Sequence, residues 1–430
     1  MIQKIEIERL FGRFNYSIAV KEQGITIITG PNGFGKSTIL RIINALSLGN
    51  INYFFELDFS KLIILFDNDE KITIKKSPKT LNIDNLLMPN ILDRSGQYQY
   101  GRRAPWIVRA SNGDYVDRRT GETIPEEEMY YSTLFNTFNE NYLDFQISKS
   151  TRDNLTKIKK KIDVIRSFCG EVRFISDQRL IKKQTTHRDD IQVLDVISEL
   201  PKKLKNEIDK VAREYSQVSS GLDSSYPRRL FSTKEGLKDL DEYSLRLEEA
   251  NQKFKKLNEY DLVEMSLLDD GYYTPELSTA LKIYFDDFSV KYKVFEGLIA
   301  KLDLFTKIIN GRLAFKKIRI SREHGFEIVD INQNSKSLEL SQLSSGEKQE
   351  IVLFYELIFE TKSNLMLLID EPEISLHITW QKKFLDDLME VSKQNRVNVM
   401  VATHSPQIIS NHLDFQVDLG ELYGSELDKG

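Results

Sequence analysis

Apolar and charged positions alternate at the start of the chain. Ile5, Ile7 and Leu10 stand among charged neighbours, the period of a strand with one buried face. Ile25 to Thr29 is then a β-branched run of the kind a strand buried on both faces needs. It ends in Gly30-Pro31-Asn32-Gly33-Phe34-Gly35, after which Ile39, Leu40, Ile43 and Leu46 take helical spacing from Ser37 onward. A second strand-rich stretch covers Leu62–Phe66 and Lys71–Ile74. Between about Pro89 and Pro125 the pattern turns irregular and polar, with Asn112-Gly113-Asp114 and Thr120-Gly121-Glu122 read as turns beside short strands. Strand character returns at Val172–Ser176.

Residues 190–310 follow helical spacing, with breaks expected at Ser219-Ser220-Gly221 and near Pro227 and Pro275. Without sustained heptads, this middle reads as a compact helical lobe and not as a long coiled coil. The C-terminal third alternates again. Strands are expected within Ile318–Val329, a helix from about Gly346, a strand at Leu365–Asp370, a helix through Trp380–Val391 and a strand at Val397–Ala402. That rhythm predicts an α/β fold, a parallel sheet with flanking helices.

At 430 residues the chain is long enough for two or three units, and 40% hydrophobic residues suffice for a real core. Lys and Arg total 60 against 65 Asp and Glu, a net charge of −5, so any nucleic-acid contact must use a local patch. Arg94, Arg102, Arg103, Arg109, Arg118 and Arg119 are candidates for one such patch, and Lys157, Lys159, Lys160 and Lys161 for another, though the first reading of each cluster is a solvated charged face. A single cysteine, Cys169, excludes an internal disulfide framework and a Cys-based zinc site. The N-terminus lacks a signal peptide's apolar core, and no apolar run approaches the roughly 20 residues of a membrane span. A cytoplasmic protein is expected.

Gly30-Pro31-Asn32-Gly33-Phe34-Gly35-Lys36-Ser37 fits the phosphate-binding loop G-x-x-x-x-G-K-[ST], set between a strand and a helix. Its glycines let backbone N–H groups close on an anion at a helix N-terminus, where Thr38 follows in the first turn. Lys36 would reach the β- and γ-phosphates of ATP and the Ser37 hydroxyl would hold Mg²⁺. The plain alternative is a glycine-rich turn that happens to contain Lys-Ser. Leu365–Glu371 is an apolar strand ending in two acids. Asp370 is the candidate for holding Mg²⁺ beside the loop, and Glu371 for polarising the attacking water, unless the pair merely caps the next helix. Leu343-Ser344-Ser345-Gly346-Glu347-Lys348-Gln349 reads by itself as an ordinary helix cap.

The order phosphate loop, LSSGEKQ, LLIDEPE, ATHSP resembles the ABC-type ATPases, and within them the soluble RecF-, SMC- and OLD-like members. The resemblance implies an ABC-ATPase head, a mixed β-sheet lobe plus a parallel phosphate-loop sheet, with an inserted helical lobe. It implies that Ser345, Gly346 and Glu347 form the signature motif, acting on a second subunit's nucleotide. His404 becomes the switch histidine, against a plain reading as a core or capping histidine. Gln178 becomes the Q-loop glutamine near Mg²⁺, against a solvent-facing turn. Glu373-Ile374-Ser375-Leu376-His377 takes the place of the D-loop, with His377 where transporter members carry aspartate. Phe11, Arg13 and Phe14 could stack on adenine or serve as strand-edge residues.

Residues 215–230, with Tyr226-Pro227-Arg228-Arg229-Leu230, resemble a piece of the ATPase subunits of antiphage systems such as Septu, PARIS and retrons. On that resemblance the expected organisation is a head segment at 1–88, a polar insertion at 89–170, the Q-loop region at 171–189, a helical lobe at 190–310 and the rest of the head at 311–430. The expected partners are a second copy of the chain, in a dimer or larger homo-oligomer, and a separate effector, a nuclease. The stretch after His404 is too short for a Toprim domain, so the effector is expected on another chain. A RecF-like repair or loading ATPase that contacts nucleic acid is the alternative, and a scaffold with negligible turnover a third reading.

Overall fold

A computed structural model describes residues 1–77, 80–89, 149–175, 181–185, 191–263, 273–332 and 336–427, together with short strands at 107–109, 115–117 and 122–124. In chain order the first elements are β1 (Ile2–Leu10), β2 (Phe14–Ala19), β3 (Ile25–Thr29), α1 (Lys36–Leu48), α2 (Asn52–Glu56), β4 (Lys61–Phe66), β5 (Lys71–Ser77), β6 (Thr80–Ile83) and β7 (Leu86–Pro89). Next come β8 (Ile107–Arg109), β9 (Tyr115–Asp117), β10 (Glu122–Ile124), α3 (Lys149–Cys169), β11 (Val172–Ile175), β12 (Ile181–Thr185) and β13 (Ile191–Asp195). The helical middle holds α4 (Val196–Ser232), α5 (Leu240–Glu259) and α6 (Ser278–Asn310), followed by β14 (Lys316–Ser321), β15 (Gly325–Asp330), β16 (Ser337–Leu338) and α7 (Ser345–Ile358). The chain closes with β17 (Met366–Asp370), α8 (Ile378–Asn395), β18 (Asn398–Ala402), α9 (Pro406–Ile409), β19 (Gln416–Asp418) and α10 (Leu419–Leu427).

Two compact units result: Met1–Leu194 with Thr361–Gly430, and Asp195–Glu360. The first unit contains an antiparallel sheet in the order β2-β1-β4-β5-β6-β7 and a parallel sheet in the order β11-β17-β18-β3-β19. In β3 all five residues are buried, as the unbroken β-branched run requires, and the strand lies between β18 and β19. Ile39, Leu40, Ile42, Ile43 and Leu46 of α1 are fully buried in one apolar core with Ile5, Ile7, Ile64 and Ile74 of the first sheet and Leu368 and Met400 of the second. Burying such side chains contributes roughly 1.5–3 kcal/mol each. α1 thus has its place fixed from both sides, and with it the loop it follows. Burial pushes the Cys169 thiol up to about 12, so it stays protonated and unreactive at neutral pH.

The second unit corrects an expectation. α4 runs without interruption through Ser219-Ser220-Gly221 and past Pro227. A proline inside a helix removes one N–H and crowds the preceding turn, at about 3 kcal/mol. In the turn before Pro227, Ser224 Oγ donates to Gly221 O at 3.0 Å, and Ser225 Oγ to Leu222 O at 3.0 Å. Arg229 adds a 2.8 Å bond to Leu222 O and grips Asp287 of α6 with two bonds of 2.5 and 2.7 Å. The pattern reading saw the proline and could not see the guanidinium that ties this turn to α6. The break near Pro275 is present, where a short 3-10 turn precedes α6. α5 begins at Asp239, whose carboxylate accepts from Glu242 N at 2.8 Å, and Phe254 stacks on Phe288 at 4.2 Å to join α5 to α6.

Arg229→Ala leaves the mostly buried Asp287 carboxylate without its guanidinium partner. The expected loss is about 2 kcal/mol of stability, read as a lower urea midpoint of the full chain with an unchanged slope.

Candidate nucleotide-binding site

The parallel sheet sets its strand ends level. Asp370 pairs with Ala402 across β17 and β18, and Ala402 pairs with Ile28 of β3. Ligands in such sheets bind beyond the carboxyl ends of the strands, and the glycine loop leaves from the end of β3 at that edge. Gly30, Gly33 and Gly35 all take positive φ, at 138°, 84° and 91°. A Cβ on Gly35 would stand 2.9 Å from Leu10 Cδ2, so both the turn and the close packing demand glycine there. No side chain caps the start of α1 and its first turn has no acidic residue, so its backbone N–H groups face the loop's concavity.

Lys36 is buried and arches back over the loop, donating to Gly30 O at 2.9 Å and Pro31 O at 3.3 Å. The ammonium is held at the mouth of the loop, where a phosphate would offer it a charged acceptor in place of neutral carbonyls. Asn32 and Gly33 are exposed and Thr38 is half-buried. Phe34 faces away from the loop, packing on Phe14 at 4.9 Å and Tyr423 at 6.1 Å, while its carbonyl accepts from Tyr16 Oη at 2.9 Å. Ser37 Oγ donates to Asp370 Oδ1 at 2.8 Å, so the structure brings together the two residues picked out as metal ligands. Among the described residues no cluster of three or more His, Cys, Asp or Glu could hold an ion by itself. Two hard oxygen donors beside a phosphate cradle suit Mg²⁺, which completes its shell with phosphate oxygens and water.

Glu371 has left-handed φ and ψ of 43° and 57°, and its N–H donates to Ala402 O at 2.9 Å. Such a conformation costs a bulky residue of order 1–3 kcal/mol, and here Pro372 and the strand end hold it in place. The turn separates the two neighbouring acids, Asp370 toward Ser37 and Glu371 out of the strand. His404, half exposed, follows the adjacent strand β18. His377 caps α8, its Nδ1 accepting from Thr379 N at 3.4 Å and lying 2.9 Å from Thr379 Oγ1.

The signature residues belong to the second unit. Ser345 is exposed at the first turn of α7 with Gly346 after it, and a reciprocal capping box between Ser344 and Glu347 sets the helix end. Burial pushes the Glu347 carboxyl up, but bonds from Lys316 Nζ at 2.9 Å and from Ser344 outweigh that and hold it below the usual carboxylate range. Its carboxylate is thereby engaged in shaping α7, leaving Ser345 and the N–H groups of the first turn to face outward. Gln178 lies outside the described residues. Phe14 is buried among Phe34, Tyr16 and Tyr423 and has no free face for a base, whereas Phe11 and Arg13 remain partly or fully exposed.

Two contributors escaped the sequence reading. Asp418, at the end of β19, accepts from Thr29 Oγ1 at 2.8 Å and from Gly420 N at 2.7 Å, tying the root of the loop to α10. Glu373, assigned only to the D-loop, lies against His404. An acid two residues past the Asp-Glu pair was the available signal for Glu373; nothing local marked Asp418.

A phosphate cradle with a buried lysine, a Ser–Asp pair and a second acid at the strand end define a P-loop ATPase. The chain belongs to the AAA ATPase domain family AAA_15, whose pattern matches residues 1–409. It is similar to UvrABC system protein A of Clostridium acetobutylicum, 28% identical over 166 residues, covering 37% of this chain and 16% of that protein. The counterpart from Borreliella burgdorferi is 26% identical over 164 residues, covering 37% and 16%. The chain therefore aligns with only 16% of the length of these curated relatives. Among solved structures, an Smc head domain with an extended coiled coil from Pyrococcus furiosus, bound to the C-terminal domain of ScpA, aligns over 95% of this chain and 90% of its own at 16% identity and a TM-score of 0.37. The SMC head domain from Thermotoga maritima aligns over 95% and 90% at 12% identity and a TM-score of 0.30. No helix among the described residues is long and apolar enough to cross a membrane.

Gly35→Ala forces a Cβ into Leu10 at a left-handed position. A loss of about 1–3 kcal/mol in thermal stability is expected, with weaker ATP binding in a titration of the same sample.

Proposed function

We propose that the chain is the ATPase subunit of an antiphage defence system, an ATP-gated switch that closes as a dimer and controls a separate nuclease effector. The observation that carries the ATP-dependent part is the Ser37–Asp370 contact, with Lys36 in the loop beside it. The defence role is supported by the resemblance of residues 215–230.

In this reading Lys36 meets the β- and γ-phosphates and the first turn of α1 meets their remaining charge. Ser37 and Asp370 would hold Mg²⁺, which when bound neutralises the developing charge on the phosphate oxygens. Glu371, turned away from Asp370, orients the attacking water and draws its proton. By the family resemblance Gln178 would act on that water, and His404 would contact the terminal phosphate. The exposed start of α7, with Ser345 and Gly346, offers a second helix N-terminus to an anion. One loop and one such helix per chain make a site shared by two copies, so that nucleotide drives closure and hydrolysis releases it.

A second reading, a RecF-like DNA-binding repair or loading ATPase, draws support from Lys157 and Lys160, exposed along α3 in a chain of net negative charge. Lys161 is instead paired with Asp84 at 2.6 Å. Retention on duplex DNA that falls steeply with salt, and disappears on reversing Lys157 and Lys160, would favour it.

Glu371→Gln is expected to lower ATP turnover by about a hundredfold or more while ATP binding persists and a dimer accumulates in a sedimentation run. Lys36→Ala, introduced in the native operon, is expected to abolish protection in a phage-challenge assay. Full protection with Lys36→Ala, or unchanged turnover with Glu371→Gln, would contradict the proposal.

A further inference from the structure

Two donors converge on one oxygen of a buried acid that also lies within ion-pair distance of the switch histidine. Glu373 is 8% exposed. Its Oε1 accepts from Thr403 Oγ1 at 2.7 Å and from the backbone N–H of His404 at 2.8 Å, and lies 3.0 Å from His404 Nδ1. Oε2 is buried and has no hydrogen-bond partner among the described residues, so compensation for burying this carboxylate comes through Oε1. A carboxylate oxygen accepts, so a hydrogen on Nδ1 is the form of His404 that this 3.0 Å contact favours. Thr403 Oγ1 also accepts, from Ser405 N at 3.0 Å, which leaves its own proton for Glu373. Gln381 of α8 secures the surroundings, donating to the carbonyls of Glu373 and Leu376 and accepting from Ser405 Oγ at 2.7 Å.

We propose that Glu373 is the positioning residue of the switch: it fixes His404 in one ring orientation, with hydrogen on Nδ1, so that Nε2 is the atom that meets the terminal phosphate. A phosphate oxygen can only accept from Nε2 if that nitrogen also carries a proton. A Glu373 carboxylate 3.0 Å from Nδ1 would balance the charge of a ring that carries a proton on both nitrogens. The tautomer is fixed before any ligand arrives, because Thr403 and the His404 backbone pin Oε1 independently of the ring. The functional half rests on the nucleotide reading above; the tautomer does not.

Histidine-selective ¹⁵N labelling of the full chain tests this, since the chain has only five histidines and His404→Asn identifies the signals of His404. Wild type is expected to show the Nδ1–H pattern in two-bond ¹H–¹⁵N spectra. Glu373→Gln should keep it, because the same two donors pin the amide oxygen at the Oε1 position. Glu373→Ala should move it toward Nε2–H, lowering kcat about tenfold or more with KM within about threefold, and Glu373→Gln should restore most of that rate. Wild-type His404 in the Nε2–H form overturns the proposal, as does a Glu373→Ala chain with unchanged spectrum and rate. Should Glu373→Ala not fold, the spectra of wild type and Glu373→Gln decide. A wild-type Nδ1–H pattern in a chain without any ATP turnover would support the positioning role and refute the nucleotide reading.

Discussion

Ser37 and Asp370 stand 333 positions apart in the chain and share a 2.8 Å hydrogen bond. That contact exists because β3 is inserted between two C-terminal strands, β18 and β19, with β17 one strand further on. Parallel strands cannot be joined by a hairpin, so each must be delivered by a crossover, and here the longest crossover contains the whole second unit. Once β3 is seated, the level strand ends place the glycine loop, the Asp-Glu pair and His404 along one edge. The chemistry of the site is thus set by sheet order, and the intervening units can vary in length without moving it.

The energetics divide along the same line. Fully buried aliphatic side chains on α1, β1 and β4 form a core that holds the loop's helix from both sheets. The polar residues at the edge are expensive by comparison: a buried lysine, a buried aspartate, a left-handed glutamate and a carboxylate with one orphaned oxygen. Their cost is met by specific partners, Gly30 and Pro31 carbonyls for Lys36, Ser37 for Asp370 and two donors for Glu373. Among the described residues of the first unit the buried charged side chains are Lys36, Asp370 and Glu373, all at this strand edge, a distribution expected of a functional site.

Much of this was legible in the sequence because it rests on local rules. The β-branched run of β3, the glycines before Lys36 and the apolar strand before Asp370 each state their structure within a few residues. What was hidden depends on residues far apart. Pro227 looked like a helix end, but α4 runs past it, with Arg229 bonded back to Leu222 and across to Asp287. Phe14 looked free to stack on a base, but Tyr423, some four hundred residues later, closes over it. Asp418 carries no motif and acts on Thr29 solely because β19 pairs with β3. Gln178 falls outside the described residues, so its assignment stands on resemblance alone.

The central claim is that one metal ion sits between Ser37, Asp370 and a nucleotide's phosphates. Mn²⁺ in place of Mg²⁺ makes that geometry visible by electron paramagnetic resonance. With ATP present, the bound Mn²⁺ should show coupling to phosphorus, and both Ser37→Ala and Asp370→Asn should weaken or abolish the bound signal. Mn²⁺ that binds equally well without ATP, or without either side chain, would contradict the account.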